Sequence, residues 1–355
     1  MKKFTLLLFV VTVFSGGAKS QGCIAIRNLT GFGQFSLPGY NEEPIKWMVN
    51  VNTRYSEFHK TYAGSEEVPI PAQDQPFSNT FILDFAVTRF YEKGWSVTVD
   101  VPIMSASRRT YQEHGGATGD HVKHTTNSFG ISDIRITAYK WLFDVTEAHR
   151  GNIQLGLGLK LPTGDYKYED FFYKPDRISA PVNPTLQLGD GGTGIDAEVN
   201  TFYTLNKLVS LYANFFYLFS PRDINGTSSM NPSGAPYSAE EIKAGADVSS
   251  VPDAYTMRGG ANFTVRDLVI WGGVRLEGSP VHDVFGGSNG QRRAGYSVSV
   301  EPGINYKFGK STIYLFVPLP VYRTMNQTVP DKELGRPSRG GMTDYLIFLG
   351  TLFKI

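Results

Sequence analysis

The sequence predicts an all-β chain that closes into a transmembrane antiparallel β-barrel of about twelve strands, with long outer loops and a short N-terminal plug segment. Three observations carry that expectation. Twelve segments alternate apolar and polar residues with a period of two, the pattern of strands with two unlike faces. The connections between them fall into two classes, short and long, that alternate along the chain. The last stretch, Tyr345-Leu-Ile-Phe-Leu-Gly-Thr-Leu-Phe-Lys-Ile355, stays apolar and aromatic to its final residue, where soluble chains tend to fray.

Composition points the same way. Of 355 residues, 38 are Gly, 24 Phe, 19 Tyr and a single one Cys. Glycine and aromatic abundance suits many turns joining half-buried strands, and one cysteine excludes a disulfide framework, a Cys-rich zinc site and an iron–sulfur cluster. With 34 Lys+Arg against 33 Asp+Glu, there is no basic excess to neutralise nucleic acid. No cofactor and no metal are expected.

Residues 1–20 read as a signal peptide: Lys2 and Lys3, the apolar run Phe4 to Phe14, then small residues up to Ser20. That run is shorter than the roughly 20 residues a spanning helix needs. Without Lys2, Lys3 and Lys19 the mature chain has two more acids than bases. Ser20, Gln21 and Gly22 lack the aliphatic residue usual three positions before a lipidated cysteine, which argues against lipidation of Cys23. Residues 21–45 are too few for a domain and too apolar to hang free in water. They are expected to fold into the barrel as a plug, through Ile24, Ile26, Phe32 and Phe35; a disordered tail is the alternative.

Residues 46–355 make the barrel, with strands expected at 46–58, 79–91, 94–105, 130–142, 151–162, 195–205, 208–219, 254–266, 268–278, 295–308, 311–323 and 342–355. In the fifth, Ile153, Leu155, Leu157, Leu159 and Leu161 share one face, and Gln154, Gly156, Gly158 and Lys160 the other. The tenth repeats the design, with Val298, Val300 and Ile304 opposite Ser297, Ser299 and Glu301. Short turns are expected at Glu92-Lys93-Gly94, Phe143 to Arg150, Asn206-Lys207, Asp267 and Gly309-Lys310, and long loops at 59–78, 106–129, 163–194, 220–253, 279–294 and 324–341. Short inner turns, long outer loops and an even strand count are the plan of an outer-membrane barrel. A soluble sandwich has no reason to segregate its loops by length, and its strands average about 5–6 residues, against the roughly 9–11 that cross a membrane at a tilt.

In such a barrel the apolar face meets lipid and the polar face the lumen, and aromatics gather at the headgroup levels. Trp47, Tyr55, Phe81, Trp95, Tyr203, Phe219, Tyr296, Tyr306 and Phe308 fall near expected strand ends. Arg54, Asp84, Asp100, Asp133, Arg135, Lys160, Glu198, Arg258, Arg275, Glu277 and Glu301 are assigned to the lumen. Charges inside a barrel narrower than the 16–18 strands of open porins must pair. Near-balanced signs argue against an ion-selective ring.

Three motifs resemble a known family. They are Gly130-Ile-Ser-Asp-Ile-Arg-Ile-Thr-Ala-Tyr139, Gly156-Leu-Gly-Leu-Lys-Leu-Pro-Thr-Gly-Asp165 and Leu186-Gln-Leu-Gly-Asp-Gly-Gly-Thr-Gly-Ile-Asp196. In that order they look like the outer-membrane family associated with meta-pathway phenol degradation, which is distantly similar to FadL-type channels. The resemblance covers about two thirds of the mature chain. Its middle motif is the most specific; the third departs from the family pattern at Gly189-Asp-Gly-Gly. It implies passive passage of small hydrophobic or aromatic compounds through the bacterial outer membrane, by a monomer whose partners are the lipid bilayer and those solutes. On the residues alone, Pro162 ends a strand and Thr163-Gly164-Asp165 turns the chain, so this motif is read as structural.

Two further patterns are weaker. His114, His121 and His124 share one loop, but no ligand set closes around them, and loop histidines are commonly solvated. Gly287-Ser288-Asn289-Gly290 resembles a segment of outer-membrane phospholipase A. The base that Ser288 would need two residues earlier is Gly286, and the nearest histidine is His282. A structural or surface-binding barrel is the main alternative to a channel, with a lipid hydrolase behind it. If residues 21–45 plug the lumen, deleting them raises conductance in planar bilayers; unchanged conductance removes the plug.

Overall fold

The computed structural model describes residues 45–355 apart from 117–120, 145–146, 149 and 232–233. The expected plug residues Ile24, Ile26, Phe32 and Phe35, and the whole 1–20 segment, lie outside the described residues. Twelve antiparallel strands form one closed wall. They are β1 (Trp47–Phe58), β2 (Phe77–Phe90), β3 (Trp95–Thr110), β4 (His124–Ile131 and Arg135–Trp141), β5 (Gly151–Lys160), β6 (Gly194–Thr204), β7 (Val209–Phe219), β8 (Ala254–Val265), β9 (Leu268–Ser279), β10 (Gly295–Phe308), β11 (Ser311–Phe316 and Leu319–Met325) and β12 (Tyr345–Lys354). Each pairs with its neighbours in sequence, and β12 returns to β1, running from Met48 opposite Lys354 to Glu57 opposite Tyr345. Closure leaves no free sheet edge, which is what lipid demands of a backbone with no water to bond.

Alternation sets the faces as the pattern requires. In β5, Leu155, Leu157 and Leu159 are exposed and Gln154, Gly156, Gly158 and Lys160 are buried. Across the wall the exposed set is apolar, for example Phe85, Val99, Leu211, Ile270, Val300 and Leu349. The buried set holds Asn50, Asn52, Thr88, Thr98, Gln154, Asn200 and Asn214. A soluble protein would invert this arrangement. Trp47, Trp95, Tyr203, Tyr306 and Phe308 are exposed at the short-turn end and Tyr55, Phe77 and Phe81 towards the other, as aromatic belts at two interfaces require. Phe219 and Tyr296 are partly covered.

The structure differs from the sequence reading in three places. The β3–β4 hairpin rises further than expected, through Thr110 and His124, so 106–110 and 124–129 of the expected loop are strand. Strands β4 and β11 are each interrupted. β4 breaks at 132–134; its outer piece pairs with β3 but forms no ladder with β5. β11 breaks at Val317-Pro318, where prolines at 318 and 320 supply no ladder donors. Its outer piece pairs with β10 and leaves β12 unladdered. Finally, the 163–194 connection does not stand outside the barrel. Val182, Leu186 and Leu188 are buried against Ile82, Met104 and Ala106 on the inner wall.

Leu157 is 65% exposed, which makes a sharp test of the lipid-facing assignment. Leu157→Arg is expected to cost about 2–4 kcal/mol in bilayer unfolding titrations. A value near zero, normal for a water-exposed leucine, contradicts the assignment.

Candidate functional site

The site begins at the break in β4, where the three sequence motifs meet. Asp133 is their hub. Its Oδ1 accepts the Gly164 N–H at 3.0 Å, and its Oδ2 accepts Lys160 Nζ and the Asp190 N–H, each at 3.3 Å. Lys160 also binds Asp190. Around the hub, Thr163 Oγ1 donates to the Ser132 carbonyl at 2.9 Å and accepts the Ile134 N–H at 2.8 Å. Ser132 Oγ donates to the Leu188 carbonyl, and the Leu188 N–H donates to the Asp165 carbonyl at 3.1 Å. The glycines are what allow the backbones so close. A Cβ on Gly164 would lie 2.5 Å from the Leu188 carbonyl oxygen, and one on Gly189 2.5 Å from Asp133 Oδ1. Gln187 completes the fold-in, accepting the Tyr168 N–H at 2.8 Å and donating to the Val182 carbonyl at 2.9 Å.

This knot turns 161–194 into the lumen and makes the wall of a chamber in the outer half of the barrel. The chamber holds about 860 Å³ of empty space, open solvent at its mouth included. Phe216, Leu218, Ala254, Pro184 and Pro252 give its apolar surface, and Arg135, Lys160, Asp133, Asp190 and Asp253 its charged edge. Every charge in that set has a partner. Asp253 accepts the Tyr217 hydroxyl at 2.9 Å and the Ser220 N–H at 2.7 Å. Arg222 and Asn225, from the 220–253 loop, bond to the Gly191 and Asp190 carbonyls and tie the two loops together.

Below the chamber lies a storey of buried ion pairs that contains the other charged candidates. Arg54 and Asp84 form a two-point pair at 2.8 and 3.1 Å. Arg135 pairs with Glu198, which also accepts the Tyr139 hydroxyl at 3.0 Å, and lies 3.7 Å from Asp196. Asp100 stands opposite Arg135 in the β3–β4 register. Glu301 bridges two cations, accepting Arg258 Nε at 2.7 Å and Arg275 at 3.3 Å, while Arg275 reaches Glu277 at 2.7 Å. Their guanidinium groups also face aromatic rings. Arg258 lies 5.2 Å from Phe316 and 5.4 Å from Trp271, Arg275 5.4 Å from Phe348, and Arg135 5.4 Å from Phe216, within the range of cation–π attraction.

All eleven charged candidates are thus inside or half-buried on the inner side. The sequence reading missed Asp196, although its spacing of two from Glu198 puts both on one face. It also missed Asp190 and Asp253, because loop residues carry no alternation to betray an inward turn. Two of the loop histidines are packed against Tyr173. His114 Nδ1 accepts the Tyr173 N–H at 3.1 Å, and the His124 ring stacks on Tyr173 at 4.1 Å. Burial pushes the His114 pKa down to about 4. Among the described residues no group of three or more His, Cys, Asp or Glu could hold a metal. Ser288 accepts the Asp283 N–H at 3.0 Å, a turn contact.

The backbone is similar to that of the COG4313 outer membrane channel from Pseudomonas putida F1, with 13% identity and a TM-score of 0.57 over 88% of this chain and 97% of that one. It is also similar to the toluene transporter TodX from Pseudomonas putida, at 8% identity and a TM-score of 0.44, over 94% and 96% of the two chains. The translocator domain of autotransporter NalP from Neisseria meningitidis matches at 6% identity and a TM-score of 0.44, over 88% and 90%. At its identity the first likeness speaks to the fold alone, that of an outer-membrane β-barrel. No protein-family model matches the sequence, and no curated protein matches it.

Two aspartates of the motifs separate hub from turn. Asp133→Ala is expected to cost about 3 kcal/mol, the scale for breaking a buried charged pair, and to speed proteolysis within 163–194. Asp165 is exposed and only caps its own turn at Lys167, so Asp165→Ala is expected to cost less than about 1 kcal/mol. Equal effects in chemical unfolding would contradict the hub assignment.

Proposed function

We propose that this barrel is a passive outer-membrane channel for small hydrophobic or aromatic compounds. One observation carries the reading: the outer chamber has an apolar surface and a charged edge whose members are all engaged by other side chains or by backbone. A charged solute entering there would lose water and find no partner unspent, at a cost of several kcal/mol. An uncharged apolar solute would exchange water for Phe216, Leu218, Pro184 and Pro252, gaining about 25 cal/mol for each Å² it buries. The resemblance of the three motifs supports the same cargo class. The inner charges act, in this reading, to fill the lumen rather than to conduct.

The test is uptake of labelled toluene and of a fatty acid into vesicles with a lipopolysaccharide outer leaflet. Wild type is expected to speed entry over empty vesicles, and Phe216→Asn with Leu218→Gln to slow it severalfold with heat-modifiable gel migration retained. A folded wild-type protein that speeds neither solute favours a surface-binding barrel instead.

A further inference from the structure

Besides the aromatic wall around Phe316 and Phe348, which the buried arginines face, the inner face carries a second apolar group away from the chamber. At the short-turn end, Met48 of β1, Trp141 of β4, Phe202 of β6 and Leu352 of β12 form one buried cluster, with Phe90 of β2 packed on it. Trp141 and Phe202 meet edge to face at 6.0 Å and 80°. In a ring of twelve, β6 and β12 stand opposite each other, so the cluster reaches across the lumen. At the same level the other strands offer the buried polar Ser96, Asn152, Ser210, Asn262 and Asn305, with Trp271 of β9 opposite Asn262. A barrel that only needed filling could have continued such polar side chains, among which Asn262 donates to Ser210 at 3.1 Å. Instead five large apolar groups gather at the final turn before the exit, those of β1 and β6 on strands whose other inward residues are Asn50, Asn52, Arg54, Asp196, Glu198 and Asn200.

We infer that Met48, Phe90, Trp141, Phe202 and Leu352 form a dewetting seal at the periplasmic mouth, which stops water and ions while the outer chamber takes apolar solutes. A constriction lined by apolar groups blocks ions by failing to hold water, without needing full steric closure. Hydrated ions that pass the paired charges of the middle storey then meet, between the polar side chains of the remaining walls, an apolar cluster that offers nothing to replace their hydration shell. The seal rests on the channel reading above for its purpose. It explains how a barrel could pass hydrophobic compounds without leaking ions across the outer membrane.

The seal predicts that polarity, not width, sets the conductance. Met48→Gln with Leu352→Asn keeps side-chain volume nearly constant and places two amides in the ring. In planar bilayers the full-length double variant is expected to conduct KCl severalfold better than wild type. Met48→Leu with Leu352→Met, equally gentle in volume and still apolar, is expected to match wild type. Heat-modifiable gel migration identifies folded protein for both. Wild-type conductance in the polar variant overturns the seal, as does an equal rise in both variants, which would mean disturbed packing rather than wetting. Toluene entry into lipopolysaccharide vesicles, read on the same proteins, separates the two claims: loss of the seal changes ion current and leaves solute entry in place, whereas failure of the channel reading removes solute entry from wild type itself.

Discussion

The inner architecture depends on the contacts of Asp133. At the break in β4 a single buried carboxylate accepts from Gly164, Lys160 and Asp190, which belong to two segments separated from it by some thirty and sixty residues. Those contacts bend a long connection inward instead of leaving it over the mouth. Everything above the middle of the lumen follows from that bend. Leu186 and Leu188 lie on the inner wall, Gln187 and Asp190 line the chamber, and Arg222 and Asn225 tie the 220–253 loop down onto the in-folded chain. Buried backbone groups in such a loop need partners as surely as those of a helix end. Ser132, Thr163 and Gln187 supply them, which gives a physical role to residue types that otherwise read as a loose motif.

The lumen divides into storeys with different chemistry. The outer chamber is apolar with satisfied charges. The middle is a set of ion pairs that share partners, Glu301 between Arg258 and Arg275, and Arg135 between Glu198 and Asp196. Each such charge is tolerable only with its neighbours present, so the set specifies inner geometry more than it adds stability. Arg258 and Arg275 lie over Phe316 and Phe348, which stack at 4.2 Å, so the cations brace an aromatic wall as well as the acids. At the short-turn end an apolar cluster of Met48, Trp141, Phe202 and Leu352 lies among polar walls.

Much of this was legible in the sequence. Alternation alone placed twelve strands and the inward face of Arg54, Asp84 and Glu301, because a barrel wall has two solvents and each residue must suit one. The turns at 92–94 and 309–310 followed from Gly and Lys between opposed apolar runs. Illegible were the features that alternation does not encode. The break in β4 is three residues long and that in β11 two, and across the first the inward set passes from Thr126 and Ser128 to Arg135, Thr137 and Tyr139, a change of parity that the pattern does not announce. The inward course of 163–194 rests on contacts between residues far apart in the chain. Trp141, Phe202 and Met48 are apolar on a face expected to be polar; by pattern they would have been read as lipid-facing or as errors of register.

The central claim is that an uncharged apolar solute occupies the chamber built by the Asp133 knot. Crystals of the mature protein grown with iodobenzene would test it directly through the anomalous signal of iodine. The account predicts an iodine peak inside the barrel, among Phe216, Leu218, Pro184 and Pro252. Iodine confined to the lipid-facing surface, with that chamber empty or holding only water, would contradict it.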